Sequence, residues 1–279
     1  MTIDYADLKP AFGARVRATP EQLTDPAFAR ECLDLLNRRD VLVFPEIDLT
    51  DAQQLAFTDL LGIRSDFARR DPGVEGEESE IYRVTLDSAV KDETQYVLAT
   101  YFWHMDGVTV VADPPRATLL SARQMSAEGG ETEFASTRAA YAALPEDAKA
   151  KLDGMRAMHS VYAGVRPLLE FGIGPEEWGG VPIKTEQPLV HTAEDGTRSL
   201  ILGVQAESIV GMELPEARAF LTRLMEWATQ PDFRYRHKWA VGDLVMWKNL
   251  SAMHRVIPYA ADSGRMMHRT SIAKFRELA

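Results

Sequence analysis

Short β-rich segments recur along most of this chain, separated by turn-forming residues. The pattern predicts strands at residues 41–45, 81–86, 96–104, 117–122, 189–191, 199–204, 233–239, 244–247 and 265–275. Helical periodicity occurs at residues 20–38, 51–62, 137–155 and 214–228. Many short strands with few helices favour a mostly β fold with flanking helices, built on a double-stranded β-helix, the jelly-roll type of core.

The length of 279 residues is compatible with one domain over residues 1–279, because all-β domains of this size often remain single. Residues 161–190 are rich in glycine and proline and have no clear periodicity. Long irregular segments inside a domain are usually functional. The sequence therefore predicts one domain with a lid-like insertion around residues 161–190.

The charge of the chain restricts its partners. A formal net charge of -11 repels phosphate backbones, so nucleic acid is not an expected partner. An anionic small substrate requires local positive charge to overcome this field. The N-terminus lacks the pattern of a signal peptide, and no run approaches the roughly 20 apolar residues that span a bilayer. The expected location is cytoplasmic, without membrane contact.

Trp103-His104-Met105-Asp106 places one imidazole and one carboxylate two residues apart. On a strand, side chains two residues apart point the same way, so both groups can reach one metal ion. With six histidines and 42 acidic residues among 279, such a pair is expected about once by chance. The pair therefore indicates a metal site only together with a third ligand.

His254 is the candidate third ligand, since it follows an apolar segment that ends at Trp247. Two histidines and one carboxylate on one face of a metal leave coordination positions open, as in non-haem Fe(II) oxygenases. A structural zinc site uses four ligands and usually cysteines, whereas Cys32 is the only cysteine here. The residues leave two alternatives open: a zinc-dependent hydrolase with the same three ligands, and a non-catalytic jelly-roll binding protein.

Arg265 and Arg269 share one face of the last predicted strand, and His268 occupies the opposite face. Two arginines that point into a protein core are costly unless they meet anions. A guanidinium group binds a carboxylate through two parallel hydrogen bonds. A dicarboxylate co-substrate and an anionic substrate account for both arginines.

Four motifs in this order resemble the taurine dioxygenase/2,4-D dioxygenase family of 2-oxoglutarate-dependent enzymes, over roughly residues 40–275. The motifs are Trp103-His104-x-Asp106, Gly129-Gly130-Glu131-Thr132-x-Phe134-Ala135, Gly242-Asp243-Leu244-Val245-x-Trp247-x-Asn249, and His254 followed at fixed spacing by Arg265 and Arg269. Four ordered motifs are more specific than the first pair alone.

The resemblance implies an Fe(II)- and 2-oxoglutarate-dependent dioxygenase with a jelly-roll core. The enzyme uses O₂, hydroxylates an organic substrate, and releases succinate and CO₂. His104, Asp106 and His254 are the implied Fe(II) ligands. Thr132 and Arg265 are the implied partners of the distal carboxylate of 2-oxoglutarate. Family members are commonly dimers or tetramers, so a homo-oligomer is expected.

The resemblance also implies a small anionic substrate, such as a carboxylate, sulfonate or sulfate ester. Arg269 is the implied partner of its anionic group, and Thr100 is expected near the metal ligands. Taurine-specific members carry a histidine in the loop before the first metal-binding segment. Residues 64–80 contain none, which disfavours taurine, and Arg69 and Arg70 are the remaining candidates there for contact with substrate.

Overall fold

The computed structural model describes residues 3–65, 81–90, 94–109, 114–166 and 184–276. The strands are β1 (Asp4–Asp7), β2 (Ala14–Arg17), β3 (Val41–Phe44), β4 (Gly62–Arg64), β5 (Tyr82–Val84), β6 (Ala117–Gln124), β7 (Thr132–Ser136), β8 (Arg156–Ser160), β9 (Lys184–Pro188), β10 (Val190–Thr192), β11 (Arg198–Leu200), β12 (Ala206–Ile209), β13 (Arg234–His237), β14 (Leu244–Lys248), β15 (Ala252–Val256) and β16 (Met266–Phe275). The helices are α1 (Pro20–Leu23), α2 (Pro26–Arg39), α3 (Asp51–Leu61), α4 (Thr94–Ala99), α5 (Thr137–Ala142), α6 (Glu146–Leu152), α7 (Val161–Val165) and α8 (Leu214–Ala228).

The largest sheet has the order β1-β2-β3-β14-β6-β16-β4, and β5 pairs with β16. Helices α1 to α3 cover its outer face. The buried contacts on that face include Leu42, Phe44, Leu119, Leu244 and Ile272. Alternation along the strands leaves the neighbours of these residues on the inner face of the sheet.

A second, antiparallel sheet with the order β13-β7-β15 lies against that inner face. The core between the two sheets contains Val43 and Trp247 from the large sheet, Phe134 from the small one, and Met267 of β16. Two sheets that pack face to face with flanking helices form a jelly-roll core, which confirms the predicted fold class.

The N-terminal helices form where the sequence supplies caps. Asp25 accepts hydrogen bonds from two backbone N–H groups at the start of α2, whose last turn contains Arg38 and Arg39. Thr50 and Gln53 form a reciprocal capping box at the start of α3. The segment predicted as helical at residues 20–38 forms α1 and α2, which ends one residue beyond that range, and α3 lies within its predicted range. The buried faces of α2 and α3 pack against the large sheet.

Two sequence-based assignments are wrong in detail. Residues 96–104, predicted as a strand, contain the end of helix α4 and then turns, in which local hydrogen bonds replace a sheet ladder. The helix predicted at residues 137–155 is divided into α5 and α6. Pro145 separates them because it lacks the amide hydrogen that a continuous helix needs.

Some predicted features lie outside the described residues. Arg69 and Arg70 are among them, as is most of the predicted lid-like insertion, residues 167–183. Where the structure does describe helices, none combines the length and the apolar character needed to cross a membrane.

His159 of β8 makes the unfolding free energy depend on pH. The residue is completely buried, and neither ring nitrogen has a hydrogen-bond partner among the described residues. Burial lowers the pKa of His159 to about 4. The unfolded chain takes up this proton near its ordinary pKa of about 6.5, so stability is complete above that pH and decreases as the pH falls towards 4.

We therefore expect wild-type protein to lose about 2 kcal/mol more unfolding free energy between pH 7.5 and pH 5 than His159→Leu loses. Urea denaturation of metal-free protein at both pH values measures this difference. Equal losses in the two proteins would show that His159 does not cause the acid sensitivity.

Candidate metal centre

His104 and His254 are placed side by side by their backbones. His104 lies outside the regular strands and forms an isolated antiparallel bridge with His254 of β15. The backbone N–H of each histidine donates to the carbonyl oxygen of the other, at 3.0 Å in both directions. The centroids of the two imidazole rings are 4.1 Å apart. Main-chain pairing, which is independent of the side chains, thus sets the spacing of two predicted ligands.

Asp106 completes the group of donor atoms. Its Oδ1 is 3.9 Å from Nε2 of His104 and 3.9 Å from Nε2 of His254. These distances are too long for hydrogen bonds, so the three residues do not satisfy one another. One ligand atom from each residue lies within 4.8 Å of the others, and no fourth such residue of the described chain joins the group. The residues therefore fit an open-sided Fe(II) site.

Both imidazoles are neutral at physiological pH. Burial lowers the pKa of His104, and burial together with the adjacent imidazole lowers the pKa of His254 to about 3. Nδ1 of His104 faces the carbonyl oxygen of Phe102 at 2.8 Å, which places the hydrogen on Nδ1 and leaves Nε2 for a metal. His254 is oriented by ring contacts instead, with Trp247 at 4.6 Å and Phe134 at 6.2 Å between centroids.

Asp106 is ionised and held in one orientation. Burial opposes its charge, but the surrounding imidazoles, a guanidinium and a hydroxyl outweigh burial and hold the pKa of Asp106 at about 2. Since the imidazoles are neutral at pH 7, the groups that act there are Arg269 and Thr118. Nη1 of Arg269 lies 3.7 Å from Oδ1 of Asp106, and the Thr118 hydroxyl donates to Oδ2 at 2.7 Å. Oδ2 thus accepts a hydrogen bond within the protein, and Oδ1 points towards the Nε2 atoms of His104 and His254.

Asn249, at the end of β14, orients Thr118. The amide Nδ2 of Asn249 donates to Thr118 Oγ1 and to the carbonyl of Pro115, both at 3.1 Å. The single hydrogen of the Thr118 hydroxyl can therefore go to Asp106. Sequence reasoning did not identify Thr118, because a threonine in a strand has no distinguishing local signal. Asn249 belongs to a recognised motif, but the sequence did not reveal its role.

Arg265 is a buried cation, and among the described residues no carboxylate pairs with it. Its side chain lies over the ring of Tyr259 at 4.7 Å, Nη2 donates to the carbonyl of Gly130 at 3.1 Å, and Nε has no acceptor. Burial lowers the pKa of Arg265, which reflects its loss of hydration. A desolvated guanidinium with unused donors favours an anionic ligand.

The other predicted binding residues lie around this centre. The Thr132 hydroxyl is buried and accepts a hydrogen bond from Trp239 Nε1 at 2.9 Å. The Arg269 guanidinium stacks on the ring of Tyr82 at 4.5 Å. Thr100 donates through its hydroxyl to Val97 and accepts a backbone hydrogen bond from Val256, beside the strand of the third ligand. The structure thus places Arg269 beside Asp106 and Thr100 beside the strand that carries His254, and the roles of these two residues and of Thr132 remain predictions.

His268 lies on the opposite face of β16, as the alternation predicts. Its Nδ1 is 2.8 Å from Oδ1 of Asp51 in α3, on the helix-covered side of the sheet. Arg269, one residue later, lies beside Asp106 instead.

The outer face of the small sheet reinforces the ligand strand. Glu133 is buried there and accepts hydrogen bonds from Arg236 and Arg255. Arg255 also lies over the ring of Trp103, at 4.8 Å, so it connects the residues next to His104 and His254. The sequence did not reveal this group, because its members come from four separate segments.

Two histidines and one carboxylate, open on one side and set on the inner face of a jelly roll, define the class of non-haem Fe(II) oxygenases.

Comparison with known proteins identifies the family within this class. The model of the taurine catabolism dioxygenase TauD, TfdA family matches residues 4–271. The chain is 33% identical to an alpha-ketoglutarate-dependent 2,4-dichlorophenoxyacetate dioxygenase of Cupriavidus pinatubonensis, over 97% of this chain and 98% of the relative. It is 32% identical to a (S)-phenoxypropionate/alpha-ketoglutarate-dioxygenase of Sphingobium herbicidovorans, over 97% and 94%. The chain belongs to the TauD/TfdA family.

The structural comparison agrees. The fold matches the crystal structure of AAD-2 in complex with Mn(II) and N-oxalylglycine, with a TM-score of 0.80, 33% identity and 97% coverage of both chains. The protein is a 2-oxoglutarate-dependent dioxygenase that uses Fe(II), 2-oxoglutarate and O₂. The zinc hydrolase and the non-catalytic binding protein are not favoured.

Gly130 makes room for Arg265. A Cβ atom at Gly130 would lie 2.9 Å from Nε and 3.0 Å from Cδ of Arg265. We expect Gly130→Ala to raise the KM for 2-oxoglutarate about tenfold. The added methyl group displaces the Arg265 guanidinium, which then loses its predicted charge-assisted hydrogen bond to the distal carboxylate of 2-oxoglutarate. Steady-state succinate formation measures this change.

Gly154→Ala is the matched control for Gly130→Ala. Gly154 has a similar positive φ of +74°, but no atom of the described residues lies within 4 Å of its added Cβ. If both variants changed KM equally, backbone strain rather than Arg265 displacement would explain the effect.

Proposed function

We propose that this dioxygenase hydroxylates a small aryloxyalkanoic acid at the carbon next to the ether oxygen, and that Arg269 binds the acid group. The observation that carries the proposal is the position of Arg269. Its guanidinium lies 3.7 Å from the carboxylate of Asp106 and stacks on Tyr82. A carboxylate held there brings the carbon beside it close to the metal ligands. The names of two similar enzymes, acting on 2,4-dichlorophenoxyacetate and (S)-phenoxypropionate, support this substrate class.

In this proposal, His104, Asp106 and His254 hold Fe(II). Arg265 and Thr132 hold the distal carboxylate of 2-oxoglutarate. Bound Fe(II), with 2-oxoglutarate and O₂, supplies the oxidising chemistry.

The protein contributes geometry and a dry environment. Thr118 fixes the carboxylate of Asp106 through its hydrogen bond to Oδ2. Trp247 and Phe134 cover the faces of His254 and exclude water from that side. Arg269 sets the position of the substrate relative to the ligands, so that one C–H bond is presented for reaction.

Hydroxylation beside an ether oxygen gives a hemiacetal. Its C–O bond breaks when the hydroxyl proton is lost and the alcohol or phenol leaves, which produces a carbonyl compound. Net ether cleavage therefore follows without a separate catalytic group. Thr100, next to the ligand strand, is the further residue that we place at the substrate.

The expected homo-oligomeric state, dimer or tetramer, belongs to this proposal and is measurable by size-exclusion chromatography with light scattering. The absence of nucleic acid as a partner rests on the net charge of -11. The cytoplasmic location also stays a prediction from the sequence.

The proposal is tested by measuring substrate-dependent succinate release with phenoxyacetate, an alkyl sulfate and taurine. We expect turnover with phenoxyacetate, and a KM for it at least about thirtyfold higher in Arg269→Gln, because a neutral amide replaces a charged, two-pronged donor. Arg83→Gln is the control, because Arg83 of β5 lies opposite His268 in the strand register, and the His268 side chain points away from the metal centre. Preference for the alkyl sulfate, or an unchanged KM in Arg269→Gln, would contradict the proposal.

A further inference from the structure

We infer that Trp239 is a positioning residue for co-substrate binding: its indole N–H turns the Thr132 hydroxyl into a donor aimed at the distal carboxylate of 2-oxoglutarate. The inference rests on the role proposed above for Thr132 and adds the residue that directs it.

The hydrogen-bond chemistry of the pair permits one arrangement. Trp239 Nε1 lies 2.9 Å from Thr132 Oγ1, and both side chains are buried. An indole nitrogen only donates, whereas a threonine hydroxyl has one hydrogen and two acceptor positions. Thr132 must therefore accept from Trp239. Its own hydrogen meets no acceptor in the described part of the chain, and so remains for a ligand.

The hydroxyl belongs to the face of β7 that lines the metal centre. Residues two apart on a strand share a face, so Thr132 lies on the same side as Phe134. The ring of Phe134 stacks on that of His254, at 6.2 Å between centroids. Just before the strand, the carbonyl of Gly130 accepts a hydrogen bond from Arg265. Thr132 thus stands between the metal ligands and the buried guanidinium, where a dicarboxylate spans the two.

The indole ring of Trp239 packs against His237, which is itself held by a hydrogen bond to Asp243. The ring of His237 meets that of Trp239 edge to face, at 4.5 Å between centroids. His237 Nε2 lies 2.9 Å from Asp243 Oδ2, and the same oxygen accepts the backbone N–H of Ala240, next to Trp239. The direction of the Trp239 N–H is therefore fixed before any ligand binds.

The test measures ligand binding by calorimetry on Mn(II)-loaded protein, with N-oxalylglycine and oxalate as probes. Both probes can chelate the metal, but only N-oxalylglycine has a distal carboxylate. We expect Trp239→Phe to weaken N-oxalylglycine binding about fivefold, the effect of one hydrogen bond, and to leave oxalate within about twofold. Trp227→Phe is the control, because it removes an indole hydrogen bond that ends on the carbonyl of Ala140 instead.

A double-mutant cycle with Thr132→Val identifies the route of the effect. Thr132→Val alone is expected to weaken N-oxalylglycine binding about tenfold, and adding Trp239→Phe to cause no further loss. The inference is overturned if Trp239→Phe weakens the binding of both probes equally. It is also overturned if Trp239→Phe weakens N-oxalylglycine binding as much in the Thr132→Val protein as in the wild type. If Thr132→Val leaves N-oxalylglycine binding unchanged, both the proposed role of Thr132 and this inference are wrong. The Mn(II) affinity of each variant, measured separately, shows whether the metal site is intact.

Discussion

His254→Ala is expected to lower Fe(II) affinity by more than about a hundredfold and to abolish 2-oxoglutarate turnover. Loss of residues that only orient metal ligands already costs about 10- to 100-fold in affinity, and here a ligand itself is lost. His104 and Asp106 alone leave the ion held by two donors. The fold should survive, because residue 254 pairs with His104 through backbone atoms that alanine retains. The measurement is anaerobic visible absorption of Fe(II)-loaded protein on addition of 2-oxoglutarate.

Wild-type protein should develop a metal-to-ligand charge-transfer band in this titration, and His254→Ala should not. His268→Ala is the matched control, since His268 faces Asp51 on the far side of the sheet and should leave the band intact. Retention of the band and of bound iron in His254→Ala would remove His254 from the ligand set. Absence of the band in folded wild-type protein would contradict the oxygenase assignment.

The sequence was sufficient for the parts of the site that depend on local spacing. Alternation along β16 correctly placed Arg269 towards the centre and His268 away from it, because strand geometry alone decides which face a side chain occupies. The jelly-roll class was also readable, since turn residues separate the short strands. These features require no knowledge of distant segments.

The secondary structure predicted for the segment that leads to His104 and Asp106 was wrong. The expected strand at residues 96–104 is a helix end with turns, and His104 is placed by one bridge to β15. The two side chains nevertheless converge, because the bridge fixes His104 and Thr118 fixes Asp106. The choice between helix and strand depended on partners elsewhere in the chain, which periodicity does not encode.

Groups assembled from several strands were likewise hidden. Trp239 has no distinguishing local signal, and the motifs that contain Thr132 and Asp243 do not show that Trp239 donates to Thr132 or that Asp243 binds His237 beside it. Gly203 is a further example. It lies in a turn after β11 without a motif, yet this turn packs directly against the segment that carries His104.

Gly203→Ala is expected to lower the unfolding free energy by about 3 kcal/mol and to weaken Mn(II) binding at least about tenfold. Gly203 has a φ of +135°, which side-chain-bearing residues rarely adopt, and its added Cβ would lie 3.2 Å from Cα of His104 and 3.3 Å from the carbonyl oxygen of Trp103. Oε1 of Gln205 would lie nearer, at 2.5 Å, and can rotate away, but the contacts with His104 and Trp103 involve backbone atoms, which side-chain rotation does not relieve. The same turn donates from Val204 N to Trp103 O at 2.7 Å, and from Gln205 Nε2 to Met105 O at 3.2 Å.

These two hydrogen bonds hold the residues on either side of His104, so a displacement of the turn must also displace His104. Gly211→Ala is the control: the φ of Gly211 is +79°, and its added Cβ meets no atom within 4 Å in the described part of the chain. Urea denaturation gives the stability of both variants, and calorimetry gives their Mn(II) affinity. The control should lose about 1 kcal/mol through backbone strain and bind metal normally. If Gly203→Ala behaved like the control in both measurements, the turn would not be what positions His104, and the bridge to His254 would suffice by itself.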